Sequence, residues 1–97
     1  MAKGYWVNCY REIKNPHALT EYAKLAGPAI QAGGGKFLAR GGKIKAFEAG
    51  VNERTVVVEF LSFEQALATH NGPAYQAAVA MLEGAVERDF RVIEGVD

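Results

Sequence analysis

The chain has 97 residues, enough for one domain whose single core needs no disulfide or metal to hold it. Its 11 basic and 11 acidic residues cancel, which leaves no net field to draw it to nucleic acid or to an anionic membrane. A 49% hydrophobic content excludes a disordered chain, and the lone cysteine, Cys9, excludes an intrachain disulfide and fits a reducing compartment. There is no basic, apolar leader and no apolar run near the roughly 18 residues of a membrane span, so a soluble cytoplasmic protein is expected.

Gly4 to Arg11 reads as a first strand, with Tyr5, Val7 and Cys9 on one face and Trp6, Asn8 and Tyr10 on the other. Asn15-Pro16 then starts a helix, Asn15 as its cap and Pro16 at its first position. Leu19, Tyr22, Ala23, Ala26, Ala29 and Ile30 follow at helical spacing; Gly27-Pro28 predicts a kink, and Gly33-Gly34-Gly35 the end. Lys36 to Arg40 and Lys43 to Glu48 are both strand-like, on either side of Gly41-Gly42. A tight hairpin at the glycine pair is one solution. The favoured one is a single long strand broken by a glycine bulge, with the hairpin turn at Ala49 to Glu53 and the next strand from Arg54 to Leu61.

Ser62-Phe63-Glu64-Gln65 has the spacing of a capping box, Ser62 capping and Gln65 reaching back. The helix it opens puts Phe63, Ala66, Leu67 and His70 on one face. Asn71-Gly72-Pro73 interrupts that helix, and Pro73 restarts one with Tyr75, Ala78, Val79, Leu82 and Val86 at core spacing. Phe90 to Ile93 is the last strand. A β-α-β order that occurs twice predicts one α+β domain over residues 1–97, ferredoxin-like βαββαβ, with an antiparallel sheet and its helices on one face.

That topology has a consequence for assembly. The strand Thr55 to Leu61 carries Val56, Val58 and Phe60 on one face and Val57 and Leu61 on the other, and the first strand is apolar or aromatic on both faces as well. Crossover helices cover only one face, and no other segment is long enough to cover the second. Packing of two copies sheet to sheet is the simplest solution, so a homodimer is expected.

The segments Gly4-Tyr5-Trp6, Gly34 to Gly42 (GGKFLARGG), Val57-Val58-Glu59-Phe60, Ser62-Phe63-Glu64, Pro73-Ala74-Tyr75-Gln76 and Glu94-Gly95 together resemble the family catalogued as domain of unknown function 1330. That family belongs to the dimeric α/β-barrel superfamily, and the resemblance runs over nearly the whole chain. It implies the ferredoxin-like fold and a dimer with facing sheets, but no activity. Quinol monooxygenases that use no cofactor, muconolactone isomerases and haem-degrading oxygenases are relatives at the level of fold only. Where the family often has Ser-Pro-Glu-Tyr, this chain has Gly72-Pro73-Ala74-Tyr75, so any role of that serine or glutamate is missing.

Six residues are candidates for a small-molecule site. Glu59, a carboxylate in an apolar strand, is a general base, one half of an ion pair with Arg40 or another strand arginine, or a strand end already in water. Arg40, flanked by glycines, suits a ligand carboxylate; with Lys36, Lys43 and Lys45 it also suits a solvated basic edge. Tyr75 and Trp6 suit the wall of a flat aromatic pocket, or plain core. His70, on an apolar helix face, is an acid–base or haem-ligand candidate or a packed ring, and Asn8 joins it by faint likeness to the haem-degrading relatives. No metal-ligand spacing, phosphate loop or serine elbow is present, so no metal or other cofactor is expected. The expected function is binding, with or without conversion, of a small aromatic or carboxylated molecule between sheet and helices. A ligand sensor or assembly module without catalysis is the alternative, and a cofactor-free monooxygenase-like or haem-related enzyme is the second.

Overall fold

Asn15 caps the first helix as its type and position predict, its side chain accepting hydrogen bonds from the backbone of His17 and Ala18. The computed structural model describes residues 2–97. Its elements are β1 (Gly4–Ile13), α1 (Pro16–Ala32), β2 (Lys36–Arg40), β3 (Thr55–Phe60), α2 (Phe63–Asn71), α3 (Pro73–Val79) and β4 (Val86–Glu94). The strands form one antiparallel sheet in the order β2-β3-β1-β4, so β1 is hydrogen-bonded on both sides. This is the expected ferredoxin-like α+β arrangement. Among the described residues no helix is long and apolar enough to cross a membrane.

Strand periodicity separates the two faces of the sheet. Trp6, Asn8 and Tyr10 of β1 share the inner face with Val56, Val58 and Phe60 of β3, and all six are buried. Against them pack Tyr22, Ala26, Ala29 and Ile30 of α1, Ala66 of α2 and Tyr75 and Ala78 of α3. Small alanines on the helices leave room for large rings on the sheet. Trp6 occupies the centre, its ring centroid 5.0 Å from Phe60, 4.7 Å from Tyr75 and 5.2 Å from Phe90. Its indole N–H donates to the Ala66 carbonyl at 2.9 Å, tying β1 to α2.

Several boundaries differ from expectation, each for a local reason. Residues 43–48 are not a strand: β2 stops at Arg40, where Gly41 takes a φ of 70° that turns the chain away, and 41–54 is one long connection. The bulge lies earlier, between Phe37 and Ala39. Gln65 does not reach back to Ser62; Ser62 alone caps α2, and the Gln65 amide donates to the Gly33 carbonyl at the end of α1. The helix begun at Pro73 ends at Val79, followed by a 3-10 turn over Ala80–Leu82, and Val86 already belongs to β4. Helix α1, by contrast, continues through Pro28 and ends at Ala32 with Gly33 as its cap, where the glycine run predicts.

Helices leave the outer face open, as expected, but the 41–54 connection folds back over one end of it. There Ile44, Ala46 and Val51 enclose a pocket with Cys9, Thr55 and Asp89. The rest of that face and its rim keep Leu61, Ile93 and Leu38 at least half exposed.

Trp6→Phe keeps an aromatic ring but removes the indole donor and some of the packed area. We expect a loss of about 1–3 kcal/mol in unfolding free energy, read from urea denaturation followed by circular dichroism.

Candidate functional site

The inner face is not filled evenly. Between it and α1 lies a cleft lined by Trp6, Asn8, Tyr10 and Val58 from below, Leu19, Tyr22, Ala23 and Gly27 from α1, and Phe37, Arg40 and Arg54 at the rim. The space in this cleft open to a water-sized group is about 40 Å³. That is room for a few water molecules or one small functional group.

Arg40 reaches this cleft because of the bulge. Lys36 pairs with Glu59 and Phe37 with Val58, but beyond the bulge Ala39 pairs with Val57 and Arg40 with Val56. A one-residue slip exchanges the faces of every following side chain. Without it Arg40 would point outward; with it the guanidinium lies at the cleft mouth, 4.1 Å above the Phe37 ring. Arg54 enters from the end of the long connection, its side chain crossing the position where Gly41 lacks a Cβ. Among the described residues neither guanidinium has a carboxylate partner.

Asn8 is the buried polar residue of the lining. Only 4% of it is exposed, and among the described residues its Oδ1 has no hydrogen-bond donor. An unmet buried acceptor costs about 1–3 kcal/mol. Tyr22 and Tyr75 join their hydroxyls at 2.6 Å, and Arg88 donates to both, at 3.3 Å to Tyr22 and 3.2 Å to Tyr75. Arg88 also faces Tyr10, its guanidinium lies 4.9 Å from the Phe90 ring, and among the described residues it has no carboxylate partner either. Burial, which removes the water a phenolate needs, pushes the Tyr22 hydroxyl well up; the Tyr75 hydroxyl adds to this and Arg88 opposes it. Burial raises Tyr75 too, against Arg88. For Tyr10 burial again dominates, while Arg88 and Asn8 pull the other way.

Of the six candidates from sequence, Trp6, Asn8 and Arg40 line the cleft. Tyr75 stands one hydrogen bond behind it, through Tyr22. His70 does not line it: the ring packs against Trp6, Tyr75 and Phe90, and Nδ1 lies 3.0 Å from Asn71 Oδ1. Glu59 is on the opposite face of the sheet, where it accepts from the Tyr5 hydroxyl at 3.2 Å and lies 3.9 Å from Lys3. Its partners are thus Tyr5 and Lys3 rather than Arg40. Arg54 and Arg88 are additions. Period-two counting back from Phe90 reaches Arg88, but only once β4 is known to begin at Val86.

A four-stranded antiparallel sheet with helices on one face defines a ferredoxin-like α+β domain, here with a mostly apolar cleft between sheet and helix. The chain belongs to the family Domain of unknown function (DUF1330), whose family model matches residues 3–96. No functionally curated protein matches it. Among solved structures it is similar to a protein of unknown function from Rhodopseudomonas palustris, at 17% identity and a TM-score of 0.76, covering 99% of this chain and 84% of that one. It is also similar to a dimeric ferredoxin-like protein of unknown function from Thermobifida fusca (15% identity, TM-score 0.59, 98% and 92% covered). A third is SnoaB, a cofactor-independent oxygenase from Streptomyces nogalater (9% identity, TM-score 0.63, 100% and 96% covered). At these identities the likeness is one of fold.

The phenols give the fold a pH dependence. A folded-state value raised above the ordinary phenol value of about 10 means that the unfolded chain ionises first. The stabilisation is therefore complete below about pH 10 and falls as the pH rises past it. Urea midpoints measured from pH 9 to 11.5 should decline, and less steeply in Tyr22→Phe.

Proposed function

We propose that the cleft binds a small aromatic carboxylate, and that the protein does so as a cytoplasmic homodimer. The observation that carries the ligand class is the pair of rim arginines, Arg40 and Arg54, without carboxylate partners at the mouth of an aromatic-walled cleft. A carboxylate at the rim receives charge-assisted hydrogen bonds, and a flat ring rests in the open mouth against Phe37 and the small residues Ala23 and Gly27 of α1. The re-aiming of Arg40 by a bulge supports the same conclusion, since bulges recur where a side chain must be turned toward a site.

The dimer rests on the outer face. Tyr5, Val7 and Val57 lie there half-buried with no helix above them, and Ile93 beside them is 56% exposed. A second sheet is the cover that the topology leaves available. One of the similar structures is described as dimeric, in keeping with this.

Binding is tested by titrating the protein with cinnamate while following Trp6 fluorescence, Trp6 being the only tryptophan. Saturable quenching is expected, with the affinity falling about tenfold in Arg40→Ala, the loss of one charge-assisted contact. A flat titration with cinnamate and a panel of benzoates rejects the ligand class. For the assembly, sedimentation velocity at micromolar concentration should give a dimer, and Val57→Lys, which places a charge on the outer face, should shift it to monomer.

A further inference from the structure

Both rim arginines stand beside a glycine, and the two glycines differ in what requires them. Gly41 is required by the fold: its φ is 70°, and a Cβ there would run into the Arg54 guanidinium. Gly27 is required by neither backbone angle nor crowding. It is the only glycine of α1 and lies within the helix without a positive φ, where alanine is the more favourable residue. A Cβ at this position would lie 3.8 Å from Arg40 Nη2, an ordinary van der Waals contact, and within 4 Å of nothing else outside its own helix and chain neighbours. Alanine is what α1 carries at Ala23 and Ala26, which line the same cleft. Pro28 gives a local reason for the glycine, because a proline ring crowds the Cβ of a helical residue before it. That reason does not account for the place left bare, which is the wall of the cleft beside Arg40.

Resting on the aromatic carboxylate proposed for this cleft, we infer that Gly27 determines which ligands it accepts: the bare backbone at 27 is the side from which a carboxylate reaches the Arg40 guanidinium. One side of that guanidinium is closed, since the Phe37 ring lies 4.1 Å from it. The bulge turns Arg40 toward α1, and Gly27 bounds the approach there. A methyl at 27 fills the space beside Nη2 without displacing the arginine, so methyl and ligand compete for one place. A longer side chain closes the mouth altogether. The glycine thus weakens the helix and opens the site.

Alanine at 27 therefore stabilises the fold and weakens binding, two effects of opposite sign that a purely structural glycine does not produce together. Gly27→Ala is made in the wild type and in Pro28→Ala, an exposed position whose change removes the crowding by proline. In the Pro28→Ala background the melting temperature should rise by a few degrees. In both backgrounds the affinity for cinnamate, read by Trp6 fluorescence, should fall about tenfold, the size expected for losing the Arg40 contact. Gly27→Leu, again a good helix former, should abolish saturable quenching. A double-mutant cycle with Arg40→Ala tests the route: there Gly27→Ala should weaken binding by less than about threefold more, because the contact it blocks is already gone. An affinity unchanged by Gly27→Ala while Arg40→Ala weakens binding overturns the role of Gly27 alone. Losses that multiply in the double variant overturn it as well, the methyl then acting elsewhere than at Arg40. A melting temperature that falls with the affinity in Pro28→Ala shows a damaged helix and has the same consequence. If the wild type binds neither cinnamate nor benzoates, the carboxylate reading is rejected and the role of Gly27 falls with it.

Discussion

The central strand sets the limits within which everything else is arranged. Because β1 is hydrogen-bonded to β3 on one side and β4 on the other, its register is fixed, and alternate residues have no choice of face. One of its two sets, Gly4, Trp6, Asn8 and Tyr10, is buried against helices. A strand built only for stability would place an aliphatic residue where Asn8 stands, between Val56 on β3 and Phe90 on β4. An amide in that position leaves its oxygen unmet in exchange for a buried polar group in the wall of the cleft. Buried polar groups without partners are uncommon in native proteins, and where they occur they direct attention to a site.

The same face solves a second electrostatic problem. Arg88 is placed directly opposite Tyr10 and has no carboxylate neighbour among the described residues. Its charge is met instead by the faces of Tyr10, Tyr22 and Phe90 and by the two hydroxyl oxygens of Tyr22 and Tyr75. A guanidinium tolerates this better than an ammonium would, since it is planar, more weakly hydrated and able to donate to two oxygens at once. A carboxylate partner would have satisfied the cation alone. Phenols satisfy it and still have a proton left to give.

The parts of the fold set by periodicity were legible in the sequence, and the parts set by single-residue slips were not. The caps at Asn15 and Ser62, the core alanines of α1 and the assignment of Trp6, Asn8 and Tyr10 to a common face follow from residue type and spacing. The bulge at Phe37–Ala39 has no glycine to mark it, while the glycine pair a few residues later suggested one in the wrong place. Arg40 could be picked out as a residue but not assigned to a face. Glu59 misled for a related reason. Its parity with Val57 is plain, but β1 and β3 are apolar on both sides, so the sequence leaves open which side receives the helices.

The two faces of the sheet thus carry different loads, and this bears on how the cleft is kept. The inner face holds polar groups that weaken the core, and such strain persists only if the surrounding structure over-determines it. The helices supply part of that constraint, through the Trp6 indole bonded to α2 and the Gln65 amide bonded to the end of α1. The outer face is the natural source of the rest. Covering Val57, Val7 and Tyr5 with a second copy adds apolar burial directly behind the strands that carry Asn8 and Val56, without touching the cleft. A sheet stiffened from behind holds an unsatisfied amide in place more firmly than one open to water. On this physical ground a dimer formed through the outer face would also steady the cleft, although the two lie on opposite sides of the same strands.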